Sequence, residues 1–143
     1  MLSNTFFMKL GARVRDKFRK HIFEDAIDVK GSKFKGYKEP YKSLKRSNKI
    51  RRQDARSAST NAPFVTGDLR NDFSLIKFSN RGFQVGFSSR GAVVAGLIKR
   101  GRPITLPEQA FPAPINEFMS RKVHKAIYKK LPNKTTVHKL KKN

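Results

Sequence analysis

Phe73-Ser74-Leu75-Ile76-Lys77-Phe78-Ser79-Asn80-Arg81-Gly82-Phe83-Gln84-Val85-Gly86-Phe87 is the stretch whose pattern decides the fold class. Phe73, Leu75 and Lys77 alternate with their neighbours, and Asn80-Arg81-Gly82 supplies a turn. Phe83, Val85 and Phe87 then alternate with Gln84 and Gly86. Period-two alternation on both sides of a glycine-containing turn predicts an antiparallel β-hairpin over residues 72–88. Two strands alone are marginal in water, so the rest of the chain must cover their apolar face.

Two amphipathic stretches can do so. Phe7, Leu10, Val14, Phe18 and Ile22 recur at spacings of three and four, which predicts a helix over residues 5–24 with Ser3 or Asn4 as its cap. Gly11 stands inside it at a cost of about 1 kcal/mol relative to Ala. The stretch is basic and acid-free until Asp16, as mitochondrial presequences are, but a presequence would be removed, and we read it as part of the fold. Ile115, Met119, Val123, Ile127 and Leu131 repeat every four residues, with Phe118 widening the stripe. They predict a helix over 114–131, opened by Pro114 and stopped by Pro132. Ala92–Ile98 is apolar and ambiguous between helix and strand, and residues 101–114 hold four prolines. The expected architecture is α+β. An N-terminal helix, a long basic excursion over 30–61, an antiparallel hairpin and a C-terminal helix packed on one sheet face form a single domain over residues 1–131. A basic tail follows over 132–143.

The chain has 143 residues, 33 Lys and Arg against 10 Asp and Glu, and a net charge of +23. Leu, Ile, Val and Phe make up 37 of the residues, enough for a thin core. The charge is uneven. Residues 30–56 hold 11 basic and 2 acidic side chains, and residues 121–143 hold 9 basic and none acidic. Self-repulsion on this scale opposes compaction unless an anionic partner neutralises it. The absence of cysteine excludes a disulfide framework, a thiolate zinc site and a cysteine nucleophile. No apolar run approaches the roughly 18 residues of a membrane span, so no membrane partner is expected.

The residues that could carry catalysis are few. His21 and Asp25 stand four apart, a spacing suited to a metal pair, but without a third ligand they read as a solvated helix end. Gly86-Phe87-Ser88-Ser89-Arg90-Gly91 lacks the final glycine of a nucleophile elbow, and no phosphate-binding Gly-x-x-x-x-Gly-Lys loop is present. Asp68 and Asp72, flanking Arg70, read as makers of local helix or turn contacts. We expect no enzyme and no cofactor. No nucleic-acid-binding motif is evident either, so the basic residues point to phosphate-backbone contact, which carries no sequence information.

One ordered set of features extends this reading. Phe34-Lys35-Gly36-Tyr37-Lys38-Glu39-Pro40-Tyr41, Thr66-Gly67-Asp68-Leu69-Arg70 leading into Phe73, Gln84-Val85-Gly86-Phe87, Gly96–Gly101, Arg102-Pro103 and Ala110-Phe111-Pro112-Ala113-Pro114 follow one another along residues 5–131. In that order they resemble the virion-morphogenesis proteins of tailed bacteriophages, the small tail-completion and head–tail connector (neck) proteins. Tyr37 stands where the family usually has tryptophan, and its Arg-Pro-Phe run is split here between residues 102–103 and 111–112. The resemblance implies a structural protein of the virion, assembled in the host cytoplasm. It would form a homo-oligomeric ring at the portal–tail junction around the DNA channel, beside portal, neck or tail proteins.

It also implies that Thr66 and Gly67 set a tight turn, that Leu69 and Phe73 enter the core, and that Arg70 stays exposed. On this reading Arg121, Lys122, Lys125, Lys129, Lys130, Lys134, Lys139, Lys141 and Lys142 face packaged DNA, non-specifically, or an acidic neighbour. Lys42, Lys45, Arg46, Lys49, Arg51, Arg52 and Arg56 lie on an excursion too polar and too long for the core, expected to be an assembly arm that reaches a neighbouring subunit or a portal-side partner. The alternative expectation is a ribosomal or other rRNA-binding structural protein, because basic extensions on a thin core suit that role too.

Overall fold

Ser3 starts the first helix in the computed structural model, which describes residues 2–38, 42–43, 68–106, 109 and 111–131. Its hydroxyl accepts from the Phe6 N–H at 3.1 Å, satisfying one of the unpaired donors of a helix start. The helix, α1, runs Asn4–Arg19 and buries Leu10, Val14 and Phe18. It does not continue as an α-helix to Glu24. Lys20–Glu24 form a π-helical turn that carries Ile22 and Phe23 into the core. Ala26 closes the turn in the left-handed region at φ 58°, and the Ile27 N–H donates back to the His21 carbonyl at 3.1 Å.

The hairpin forms as its alternation predicts. β1 (Phe73–Phe78) pairs antiparallel with β2 (Phe83–Phe87), placing Phe73 opposite Phe87 and Leu75 opposite Val85. A bulge between Leu75 and Lys77 shifts the register, so that Lys77 stands opposite Gln84 rather than continuing the face of Phe73 and Leu75, and Phe78 stands opposite Phe83. Ile76 and Phe78 are exposed. Helix α1 lies directly on the sheet. A Cβ on Gly11 would sit 2.7 Å from the Leu75 Cδ1 and 3.1 Å from the Phe83 ring. Glycine therefore serves close approach here, rather than being a flaw in the helix. Deeper in the core, Phe18 stacks on Phe73 at 3.9 Å between centroids, with Phe87 edge-on to both.

A short helix, α2 (Asp68–Asp72), precedes β1. Its last carbonyls lack helical partners, and Arg19 supplies one from α1. The Arg19 Nε donates to the Phe73 carbonyl at 2.9 Å and a terminal nitrogen donates to the Asn71 carbonyl at 3.1 Å. Burial, with Arg15 and Arg70 nearby, pulls the Arg19 pKa below its usual value, while Asp16 opposes the shift.

The ambiguous apolar stretch is a helix, α3 (Gly91–Lys99). Gly101, at φ 76°, ends it. The following proline-rich loop is irregular but anchored, with Ile104 and Pro112 fully buried. The last helix, α4 (Ala113–Tyr128), carries Pro114 in its first turn. It packs along α1 and joins the common core through Ile115, while Phe118, Met119 and Val123 are partly buried against it. The helix stops at Tyr128, before the expected Leu131. Ile127 and Leu131, which continue its apolar stripe, are 46 % and 57 % exposed. Helices beside a two-stranded antiparallel sheet make the fold α+β.

The start of the basic excursion is part of the body, contrary to its polar composition. Phe34 is buried in the core cluster. The segment is held from the proline-rich loop by Arg102, whose guanidinium lies 3.7 Å from the Tyr37 ring centroid and donates to the Lys35 carbonyl at 2.6 Å. Pro103 accepts from the Val29 N–H at 3.0 Å, and the Gln109 side chain donates to the Val29 carbonyl at 2.8 Å.

Candidate anion-facing surface

Helix α4 bears one acid, Glu117, and from Arg121 onward only cations among its charged residues. Helical geometry distributes these around the face that α1 leaves open. Arg121, Lys125, Lys129 and Lys130 are exposed, and Lys122 is half-buried. Lysines near a helix C-terminus also complement its partial negative charge. The Lys122 ammonium sits 5.6 Å from the Phe118 ring centroid, and the Lys17 ammonium approaches the same ring at 4.6 Å. Phe118 is thus a meeting point for cations of both helices, an arrangement that aromatic rings favour. No carboxylate of the described residues forms an ion pair with Lys122, Lys125 or Lys129.

The basic end of α4 does not stand alone. It faces the start of α1 across a groove of about 490 Å³ lined by Leu2, Ser3, Phe6, Lys122, Lys125, Ala126, Lys129 and Lys130. A smaller cleft of about 180 Å³, lined by Phe6, Lys9, Leu10, Arg13 and Lys122, adjoins it. The first turn of α1 carries no acid, so its partial positive charge adds to the field. Lys9, Arg13, Leu2 and Phe6 are members of this surface that the sequence pattern did not link to α4. The polar side of α1 was readable, but its position beside α4 follows only from tertiary packing.

The other expected sites divide. Lys134, Lys139, Lys141 and Lys142 lie outside the described residues, as do Lys45, Arg46, Lys49, Arg51, Arg52 and Arg56. Of the expected arm, Lys42 is described. It is half-buried, and its N–H donates to the Lys38 carbonyl at 3.1 Å. Thr66 and Gly67 also lie outside, and the residues that follow them form α2. Leu69 packs against the core as expected. Arg70 does not stay exposed. It is half-buried and donates to the Glu24 carboxylate at 3.0 Å, tying α2 to the π turn.

The groups considered for chemistry make contacts within the fold. Asp72 makes contacts far along the chain. Its carboxylate accepts from the Ser88 hydroxyl at 2.8 Å, the Ser89 hydroxyl at 2.6 Å, the Ser89 N–H at 3.1 Å and the Arg90 N–H at 3.0 Å. Partial burial opposes its ionisation, but these bonds outweigh that and lower its pKa to about 2. They also occupy Ser88 and Ser89, the residues of the elbow-like stretch, at the entrance to α3. His21 Nε2 lies 3.3 Å from the Asp28 carbonyl oxygen, and Asp25 is 3.8 Å from the Lys20 ammonium. Among the described residues, no three His, Asp or Glu side chains converge as a metal site requires, and no helix is long and apolar enough to cross a membrane. No known protein family, curated protein or solved structure matches the chain.

Proposed function

We propose that this chain is a non-enzymatic structural subunit of a tailed-phage particle. It forms a homo-oligomeric ring at the portal–tail junction, with the basic side of α4 and the tail turned toward packaged DNA or an acidic neighbouring ring. The observation that carries the reading is the ordered run from Phe34–Tyr41 through Thr66–Phe73 and Gln84–Phe87 to Arg102–Pro114. The described residues of that run support it. The hairpin and the core residues Phe34 and Phe73 form one body, and Lys122, Lys125, Lys129 and Lys130 line one groove on it.

Native mass spectrometry of nuclease-treated protein tests the proposal. A defined homo-oligomer is expected, since heterologous contacts close into rings where the rotation allows. A monomer retaining RNA would overturn it in favour of an rRNA-binding protein. Removing residues 42–56 should leave a folded subunit that no longer enters particles, and normal incorporation of that deletion would remove the arm from the proposal.

A further inference from the structure

The groove between α1 and α4 is not lined as a simple phosphate track. Four lysines, 122, 125, 129 and 130, rim it, but Leu2, Phe6 and Ala126 contribute apolar lining. A nucleic-acid backbone would satisfy the ammonium groups and leave that apolar surface in water. An acidic segment carrying an apolar side chain would satisfy both, which is the pattern of an amphipathic helix laid in a groove. From this juxtaposition we propose that the groove docks an acidic, amphipathic segment of a partner protein. Its carboxylates meet the lysines, and one leucine- or phenylalanine-sized side chain rests on Leu2, Phe6 and Ala126.

Charge selects this occupant over segments of the chain itself. Residues 44–67 hold six basic side chains and one acid, and residues 132–143 hold four basic side chains and none, so both are repelled by the rim. A second copy is disfavoured as the groove's occupant, because its 10 acids are spread among 33 basic residues and no segment of it is acidic enough to meet four lysines. The carboxylates of Glu24, Asp28 and Asp72 are moreover engaged within their own fold. The lysines supply long-range steering and fast association, and the apolar lining supplies the discrimination between an acidic protein and any other polyanion.

The inference rests on α4 being anion-facing and not on the phage assignment, so a ring that forms but ignores the probe would defeat this inference alone. The test uses the full chain and two fluorescent peptides of equal length and equal carboxylate number. One has glutamates interleaved with leucines at helical spacing, and the other has glutamates interleaved with glycines and serines. At about 0.15 M salt the leucine peptide should bind about tenfold more tightly. The pair Lys125→Glu and Lys129→Glu should weaken both peptides by about tenfold or more. Leu2→Ser, outside the helix and so harmless to the fold, should weaken only the leucine peptide. Equal affinity for the two peptides would overturn the proposal. So would displacement of the leucine peptide at that same salt, where non-specific duplex binding is weak, by a stoichiometric amount of short duplex DNA, which would make the groove a phosphate site. Self-association abolished by the same lysine changes would assign the groove to a second copy.

Discussion

Helices α1 and α4 are each sixteen residues long, and both place apolar residues at every third or fourth position. They end differently. Helix α1 buries Leu10, Val14 and Phe18 and passes Ile22 and Phe23 into the core. Helix α4 buries Ile115 alone, keeps Phe118, Met119 and Val123 half-covered, and leaves Ile127 in water. The difference lies in what stands opposite. Helix α1 has the hairpin on one side and α4 on another, while α4 packs on α1. An amphipathic period announces an apolar face, but the neighbours decide how much of it is covered. Where cover stops on α4 the cations gather, so the less buried helix carries the candidate surface.

The comparison can be broken most forcefully at Phe18. It is fully buried and stacked on Phe73, and Phe18→Ala should cost about 3–5 kcal/mol, measured by chemical denaturation. Phe118→Ala on α4 should cost distinctly less, because that ring is only half-buried between Lys17 and Lys122. Equal losses would mean that α4 is as deeply seated as α1. The next effect is at Gly11. Valine there would overpack against Leu75 and the Phe83 ring and lower stability by about 1–3 kcal/mol. An unchanged melting temperature would show that the hairpin does not press on α1.

Asp72 gives a smaller effect with a defined pH dependence. Its pKa is lower in the folded chain, about 2, than the usual carboxylate value near 4. Its contribution is therefore complete above pH about 4 and is lost as the pH falls toward 2. Asp72→Ala should cost about 1 kcal/mol at neutral pH, the size of a lost helix cap, and should flatten the stability curve over that window. If wild type and variant lose stability in parallel across it, other carboxylates govern the acid response. The smallest effect belongs to the uncovered end of α4. Replacing Lys129, Lys130, Lys141 and Lys142 by Gln should change stability by less than about 0.5 kcal/mol. The same change should flatten the salt dependence of duplex binding, whose log–log slope should be near −4 to −5 if about five phosphates are neutralised. An unchanged slope would move the phosphate-facing surface to residues 30–56.

The hairpin and both long helices were readable because period two and period 3.6 differ plainly over stretches such as Phe83–Phe87 and Leu10–Phe18. Ala92–Ile98 was not, since a short unbroken apolar run has no period to read. Gly11 looked like a weakness because propensity is a property of an isolated helix, whereas its reason is the approach of Leu75 and Phe83. Phe34 was hidden inside a basic, turn-rich segment, and its partners, the core cluster and the Arg102 guanidinium over its ring, come from elements far along the chain. For the candidate surface, the cations of α4 were visible in sequence. Their alignment with Leu2, Phe6 and Lys9 was not, because only packing brings the two helices together.

The hold of Arg102 and Gln109 on the segment around Val29 and Lys35 has a temporal consequence. Its two halves are separated by 67 and 80 positions along the chain, and long loops must close before such contacts reward the ordering they require. During synthesis the segment around Val29 emerges early but waits for the proline-rich loop, while the hairpin has adjacent strands to pair and α1 already made to cover it. Until Pro103 and then Gln109 arrive, the backbone of Val29 lacks its two partners from the proline-rich loop. In pulse-labelled refolding, the hairpin amides should gain protection from exchange before the Val29 amide does. Simultaneous protection would mean that the loop from Val29 to Pro103 closes together with the hairpin.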